Sequence, residues 1–321
     1  MLSNNTYGIQ ITGESSASKA TELYTDALKV VQNCHELATT SDCENTGQNE
    51  TVNSACKHAT NAILDVSDIM TQNALSPRRD AYDITAPTYN PFPPFYFATY
   101  LNRAETQLAL GVPLNYTLNS GQTVFQNFLD TGDFSRPGQL ASLATLLDSG
   151  IKVALLYGDA DAVCNWYGGE GASLVIPHAE RQAFAQAGYA LLETNESYVG
   201  GLVRQQGNLS FSRVFNAGHQ AAAFQPETVY RIFMRTVFGT DVATGETCLE
   251  DIGEGEYATQ GPQSVFDVRN EVPAFWPERQ CYVYNMISTC SEEQIEAVKN
   301  GSGLVRDFIL VDENTVGLFE N

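Results

Sequence analysis

The sequence predicts an α/β fold, and three observations carry that prediction. The run IKVALLY at 151–157 is apolar almost throughout, as a parallel strand covered on both faces requires. Amphipathic helical patterns lie before and after the strand-like runs, so strands and helices are interleaved rather than gathered in separate blocks. Asp161 and His219 each close a strand-like run, in IKVALLYGDAD (151–161) and LSFSRVFNAGH (209–219).

The elements follow in order. Residues 16–33 place Ala20, Leu23, Tyr24, Ala27 and Val31 on one helical face, and residues 54–72 line up Ala59, Ile63, Val66 and Met70 on another. The polar segment SDCENTGQNETVN between them reads as an exposed loop stapled at its base by cysteine. The run APTYNPFPPFYFAT is rich in proline and aromatics and therefore irregular. Packing onto the core is the simpler reading of its side chains, and a binding surface is the alternative. A helix opens near Pro137, buries Leu140, Leu143, Leu146 and Leu147, and closes at Gly150. It delivers the chain into strand 151–157, which stops at Gly158.

A second helix is expected at about 177–187. The segment YVGGLVRQQGNLSFSRVFNAG then reads as a hairpin turning at Gln206, Gly207 and Asn208. Pro226 starts a helix that sets Val229, Ile232, Phe233 and Val237 on one side and ends at Gly239. Beyond it the chain is richer in glycine, proline and acidic residues. The expected organisation is one domain over 1–321, incomplete at its N-terminus, with a helical cap-like insertion at 15–85 and a C-terminal extension at 240–321.

Composition excludes whole classes of function. No apolar run approaches the 18 residues that a membrane span needs, so none is expected. Lysine plus arginine total 17 against 38 aspartate plus glutamate, and the formal net charge of -21 repels phosphate backbones and anionic lipid. Nucleic acid is therefore not an expected partner. The same surplus of carboxylates suits a secreted protein, or one that works in acid.

Cys34, Cys43, Cys56, Cys248, Cys281 and Cys290 cluster toward the two ends of the chain, while Cys164 stands alone beside Asp161. With no repeated C-x-x-C, this pattern fits disulfides in an oxidising compartment better than zinc. The zinc alternative rests on His35 and His58 beside Cys34 and Cys56, whose spacing matches no common ligand set, and no metal or other cofactor is expected. Cys164 is expected to stay unpaired, and spacing leaves the pairing of the other cysteines open. Sequons at Asn4, Asn49, Asn115, Asn195, Asn208 and Asn300 favour a glycosylated protein of the secretory pathway, secreted or vacuolar. The N-terminus MLSNNTYG has neither a basic n-region nor an apolar h-region, which places the expected true N-terminus upstream.

An acid and then a histidine, each on the loop after a late strand, is the order in which an α/β-hydrolase ends its catalytic triad. The carboxylate holds the imidazole in the right tautomer and stabilises its cation, while the imidazole takes the proton of a nucleophilic hydroxyl. Asp161 and His219 qualify by position. Asp159, two residues earlier, competes for the acid's role, although an aspartate there can equally cap a turn.

The segments GDADAVCNW (158–166), VFNAGH (214–219) and QPE (225–227) resemble the serine carboxypeptidase family, specifically its fungal secreted branch. NNTYGIQ (4–10), ALGVPLNYT (109–117), GLVRQQGNLSFSRVF (201–215) and NEVPAFWPERQCY (270–282) extend the resemblance along nearly the whole chain. It implies an α/β-hydrolase sheet, here its C-terminal part, with an inserted helical cap. It further implies release of C-terminal residues from peptides and proteins at acidic pH, with Asp161 as triad acid and His219 as triad base. Cys164, Asn165, Trp166 and Gln220 are then expected to line the substrate site.

Two family features, a GESY-type nucleophile elbow and a WNGGPG-type oxyanion segment, have no counterpart here. The tripeptide Gly13-Glu14-Ser15 follows the strand-like YGIQIT and imitates an elbow, but Ser15 or Ser16 reads more simply as a helix N-cap. The expected function is thus a serine-type carboxypeptidase without a convincing nucleophile segment. The rivals are a non-catalytic secreted binding protein that kept the pocket, and another α/β-hydrolase such as an esterase using Ser15.

Overall fold

The structure is a computed structural model that describes residues 4–72, 79–86, 96–117, 122–253, 255–273, 280–283, 286–306, 308–313 and 315–319. Most of the run APTYNPFPPFYFAT and part of NEVPAFWPERQCY lie outside the described residues. The chain divides into two compact units, Met1–Thr88 with Phe128–Pro273, and Tyr89–Asn127 with Ala274–Asn321. Residues 240–273 thus belong to the first unit and 274–321 to the second.

The first unit is built on four strands, β1 (Val153–Gly158), β2 (Tyr189–Asn195), β3 (Tyr198–Gln206) and β4 (Leu209–Val214), in the order β1-β4-β3-β2. β1 runs parallel to β4, with Val153 opposite Leu209 and Gly158 opposite Val214. β4 and β3 form the expected hairpin, closed by a two-residue turn in which Gly207 takes positive φ. β2, which sequence periodicity did not single out, pairs antiparallel with β3.

β3 and β4 are buried along nearly their whole length because helices cover both faces of the sheet. On one face Phe211, Leu209 and Tyr189 pack with Trp166, Ile176, Phe184 and the helix Gln139–Asp148. On the other, Leu192, Val203 and Val214 pack against Ala217, Ala221 and Ile232, the last from the helix Pro226–Phe238. Each large apolar side chain so buried contributes about 1.5–3 kcal/mol.

β1 departs from expectation. Among the described residues it pairs on one side only, and its four middle residues are half-buried rather than sealed. Leu146, expected in the core, is exposed, whereas Leu147 is buried. The helix expected near 177–187 is the short Arg181–Gln186, and a longer one, Trp166–Val175, precedes it.

Two long helices lie upstream, α1 (Glu14–Ser41) and α2 (Glu50–Gln72), longer than their apolar stripes suggested. Ala20, Ala27 and Ala59 are buried as expected, but Tyr24 and Ile63 face solvent. Cys34 and Cys56 join the helices, which removes both thiols as zinc ligands. Arg136 closes the connection from the other side. Its Nη1 donates to Asp42 Oδ2 at 2.8 Å and its Nη2 to Asn53 Oδ1 at 2.6 Å. Gly132, with φ +66, makes this approach possible, since a Cβ there would fall 2.4 Å from the Cys56 backbone carbon.

In the second unit a disulfide joins Cys281 to Cys290, and Ser291 and Gln294 form a capping box at the start of the helix Glu292–Lys299. Cys43, Cys164 and Cys248 are free thiols, so two of the cysteines expected in disulfides are not so engaged. No helix among the described residues is long and apolar enough to cross a membrane.

Candidate active site

The parallel pairing of β1 with β4 determines where the site forms. Both strands run out at the same edge, so the loops that follow them emerge side by side. Asp159 N continues the ladder to Val214 O at 2.9 Å, and Ala160 N donates to Ala217 O at 2.9 Å. The loops meet this closely because residue 158 is glycine. A Cβ there would lie 2.3 Å from the carbonyl oxygens of both Ala217 and Gly218.

Asp161 and His219 come into contact at this meeting point. His219 Nδ1 lies 2.8 Å from Asp161 Oδ2. The other carboxylate oxygen accepts the backbone N–H groups of Val163 at 2.9 Å and Cys164 at 3.2 Å, which fixes the carboxylate plane. Asp161 is buried, while the His219 side chain keeps 39% exposure, so one edge of the imidazole is open to a reactant. His219 Nε2 has no hydrogen-bond partner among the described residues.

Asp159 has a different environment. Its carboxylate is fully buried, accepting Tyr7 Oη at 2.5 Å and Asn270 Nδ2 at 3.1 Å, with the Arg213 guanidinium at 3.9 Å. Burial outweighs these contacts and pushes its carboxyl up to about 6. Burial and the Asp159 charge push the Tyr7 hydroxyl far above its ordinary range. The same hydroxyl accepts Asn216 N at 3.1 Å, so a single group from the N-terminal segment ties the Asp161 loop to the His219 loop.

A second strap comes from residues 79–86. Tyr82 O accepts His219 N at 2.8 Å, Ala81 O accepts Ala162 N at 3.0 Å, and Ile84 N donates to Ala160 O at 2.9 Å. The Tyr82 ring stands edge-on to the imidazole with centroids 5.1 Å apart. Next to it Asp83 is buried, and its carboxyl is pushed up to about 6 by desolvation despite bonds from Thr85. Neither strap was singled out as functional in the sequence. Tyr7 stands in the strand-like YGIQIT but carried no catalytic signal, and AYDIT is too short for one.

The other candidate residues spread out from this centre. Cys164 is exposed and free, with burial and then the Asp161 charge raising its thiol pKa. Asn165 is the N-cap of the helix Trp166–Val175, its Oδ1 accepting Gly168 N at 3.1 Å. Trp166 is fully buried, stacked on Tyr167 with centroids 4.1 Å apart and covered by the Arg213 guanidinium at 4.2 Å. Its ring supports the loop from beneath and presents no surface to a ligand. Gln220 is exposed and stands at the N-cap position of the short helix Ala221–Phe224 without a side-chain capping bond.

Ser15 and Ser16 lie inside the first turn of α1, whose N-cap is Gly13 without a side-chain bond, which corrects the expected serine cap. Residues 7–11 form no strand. Ser15 therefore lacks the strand that a nucleophile elbow needs.

The fold and the loop geometry define an α/β protein that places a carboxylate–imidazole pair past the ends of two parallel strands. Residues 4–239 match the family described as serine carboxypeptidase, and the chain belongs to that family, with its α/β-hydrolase fold class. It is similar to Carboxypeptidase S1 homolog B of Arthroderma otae, 43% identical over 99% of this chain and 49% of the relative. Similarity to Carboxypeptidase S1 homolog A of Arthroderma benhamiae is 40% identity over 96% of this chain and 47% of the relative. Among solved structures, Kex1(delta)p, a prohormone-processing carboxypeptidase from Saccharomyces cerevisiae, is 18% identical and superposes with a TM-score of 0.45, covering 65% of this chain and 46% of that one. The chain spans about half the length of the curated relatives it matches.

Proposed function

We propose that this chain supplies the acid–base half of a serine-type carboxypeptidase that releases C-terminal residues from peptides and proteins. The observation that carries the reading is the 2.8 Å contact between His219 Nδ1 and Asp161 Oδ2, with two backbone donors holding the carboxylate in place. In this role His219 Nε2 takes the proton from a serine hydroxyl as it attacks the last peptide bond, then gives that proton to the departing amino acid. Water repeats the cycle on the acyl enzyme. Asp161 keeps the Nδ1 proton in place and stabilises the imidazolium. The open edge of His219 is where the serine must stand. Asn165 serves the site by capping the helix that follows the acid loop, and Cys164 and Gln220 flank the opening.

Passage through the secretory pathway, to the outside or to a vacuole, is supported by two disulfides and by sequon asparagines on the surface, Asn4, Asn115, Asn195 and Asn300. Asn49 and Asn208 are half-buried, and their amides already contact Ser41 O and Gly150 O. Operation in acid is supported by Asp159 and Asp83, buried carboxyls beside the site that titrate near 6.

The test uses the longest polypeptide the transcript encodes, incubated with synthetic peptides at pH 4–6 and read by mass spectrometry. Stepwise loss of C-terminal residues is expected. Asp161→Asn and His219→Ala should each lower kcat by roughly 10⁴-fold with little change in KM. Internal cleavage, or C-terminal release that survives His219→Ala, would overturn the reading. Absence of any cleavage by a folded protein would leave the non-catalytic binding protein in its place.

A further inference from the structure

We propose that Asn216 is a positioning residue for His219, and that Tyr7 engages its side chain only while the Asp159 carboxyl carries a proton. The proposal rests on the proton-transfer role given to His219 above, and it names the contact that holds this base in place in acid.

Asn216 lies just past β4, which ends at Val214, and a short way before His219. Its backbone takes a φ of +51°, a left-handed conformation that asparagine tolerates and most other non-glycine residues avoid. The chain turns here from the strand toward the histidine, and the turn is tied along its backbone. Gln225 Nε2 donates to Asn216 O at 3.3 Å, Ala217 O accepts Ala160 N at 2.9 Å, and His219 N donates to Tyr82 O at 2.8 Å. The Asn216 side-chain oxygen finds its partner among the described residues in the Tyr7 hydroxyl, 3.5 Å away.

That hydroxyl cannot donate to two neighbours at once. A phenol has one hydrogen to give and lone pairs with which to accept. Tyr7 Oη lies 2.5 Å from Asp159 Oδ1 and accepts Asn216 N at 3.1 Å. While Asp159 is ionised it claims the Tyr7 hydrogen, since a bond to a charged acceptor is about twice as strong as one between neutral groups. Asn216 Oδ1 then goes without it. A proton added to Asp159 finds its acceptor at Oδ1, because the partners of Oδ2, Asn270 Nδ2 at 3.1 Å and the Arg213 guanidinium at 3.9 Å, only donate. The carboxyl now donates to Tyr7 Oη, and the Tyr7 hydrogen turns to Asn216 Oδ1. The proton comes from solvent, and no covalent bond other than its own changes.

The charged and titratable groups around this centre set the window. Arg213 from β4 and Tyr167 from the helix Trp166–Val175 face Asp159, and Asp83 from the 79–86 strap acts on Tyr7. Arg213 favours the anion, but burial outweighs it and leaves the Asp159 carboxyl titrating at about 6. Below that value the His219 loop gains a side-chain bond, and above it the bond is lost. Asp83 titrates in the same range, so the test must separate the two carboxyls.

The test is hydrogen exchange of the folded 321-residue protein at pH 5 and pH 7, read by mass spectrometry on the peptide 215–219 as protection relative to the unstructured chain. Protection should be roughly 3- to 10-fold higher at pH 5, the share of one hydrogen bond. Asp159→Asn, whose amide donates to Tyr7 as the protonated carboxyl does, should keep the high value at both. Asn216→Gly keeps the left-handed backbone and removes Oδ1, so it should show the low value at both. Asp83→Asn should leave the dependence in place. Equal protection at the two pH values, a dependence that survives Asp159→Asn or Asn216→Gly, or one that vanishes with Asp83→Asn would overturn the proposal. In the longest polypeptide the transcript encodes, Asp159→Asn should carry the upper pH limit of kcat above the wild-type limit, with KM steady. Exchange needs no nucleophile, so failure of the carboxypeptidase reading leaves that readout intact, and loss of the switch leaves C-terminal release standing.

Discussion

Asp42, in the connection between α1 and α2, and Asp159, beside the candidate active site, are both buried aspartates in the first unit, yet they titrate in opposite directions. Asp42 is held at about 2 by the Thr46 hydroxyl and backbone N–H, with Arg136 and Gly47 adding to them. Asp159 is pushed up to about 6, because burial outweighs the Tyr7 and Asn270 bonds and an Arg213 guanidinium that stops 3.9 Å away. The difference teaches that the balance between direct donors and depth of burial sets the charge state of a hidden carboxylate. The helical hairpin keeps its carboxylate ionised until pH falls to about 2. The site keeps a carboxyl that changes state in mild acid.

The comparison can be broken most forcefully at Arg136. Removing its guanidinium leaves Asp42 without its cation and Asn53 without a donor, and Arg136→Ala should lower Tm on the order of 10 °C in a thermal melt. A drop of only a degree or two would mean that Thr46 and Gly47 suffice.

The pH dependence of stability sharpens it next. Asp159 and Asp83 bind protons more tightly folded than unfolded, so their contribution is complete below the ordinary value of 3.8 and is lost as pH rises through about 6. Each contributes on the order of 2–3 kcal/mol across that window. Asp42 acts with the opposite sign. Its contribution is present above 3.8 and disappears as pH falls through about 2. Melts across pH 2–7 should therefore peak near pH 4. Asp159→Asn together with Asp83→Asn should flatten the fall between 4 and 6 while leaving the acid limb unchanged.

Tyr7→Phe removes the hydroxyl shared by Asp159 and Asn216, at a cost of about 1–3 kcal/mol. It should also lower kcat of the active polypeptide more than it raises KM, since it loosens the two loops against each other without touching substrate. An unchanged kcat with reduced stability would confine Tyr7 to the fold. The smallest effect is expected for Thr46→Val, which keeps the backbone N–H to Asp42 and loses only the hydroxyl. About 1 kcal/mol is expected, measured by urea denaturation.

Much of the fold was legible because it is written locally. The apolar run of β1, the turn at Gly207 between β3 and β4, and the proline-started helix Pro226–Phe238 each carry their signal within a dozen residues. The helix Trp166–Val175 was hidden by Gly168, Gly169 and Gly171, which weaken helix propensity. Gly169 is needed because a Cβ there would fall 2.5 Å from the Tyr157 ring. β1 carries the apolar run of a strand covered on both faces, and pattern alone does not report how many neighbours it has; among the described residues it pairs with β4 alone.

At the site, the approach of Asp161 and His219 could be anticipated from chain order, but its supports could not. Tyr7, Tyr82 and Asn270 lie far from both residues in sequence and act through one or two hydrogen bonds at the site. Arg213 lies on β4 and carried no signal of its own. It is fully buried because Val265 O, Val268 O and Thr6 Oγ1 accept its guanidinium from distant segments.

The central claim is that His219, oriented by Asp161, activates a serine. Fluorophosphonate labelling followed by peptide mass mapping tests it directly on the longest polypeptide the transcript encodes. The account predicts label on a single serine other than Ser15, and none when His219 is replaced by alanine. Label on Ser15, label that persists without His219, or no label on the folded protein would contradict it.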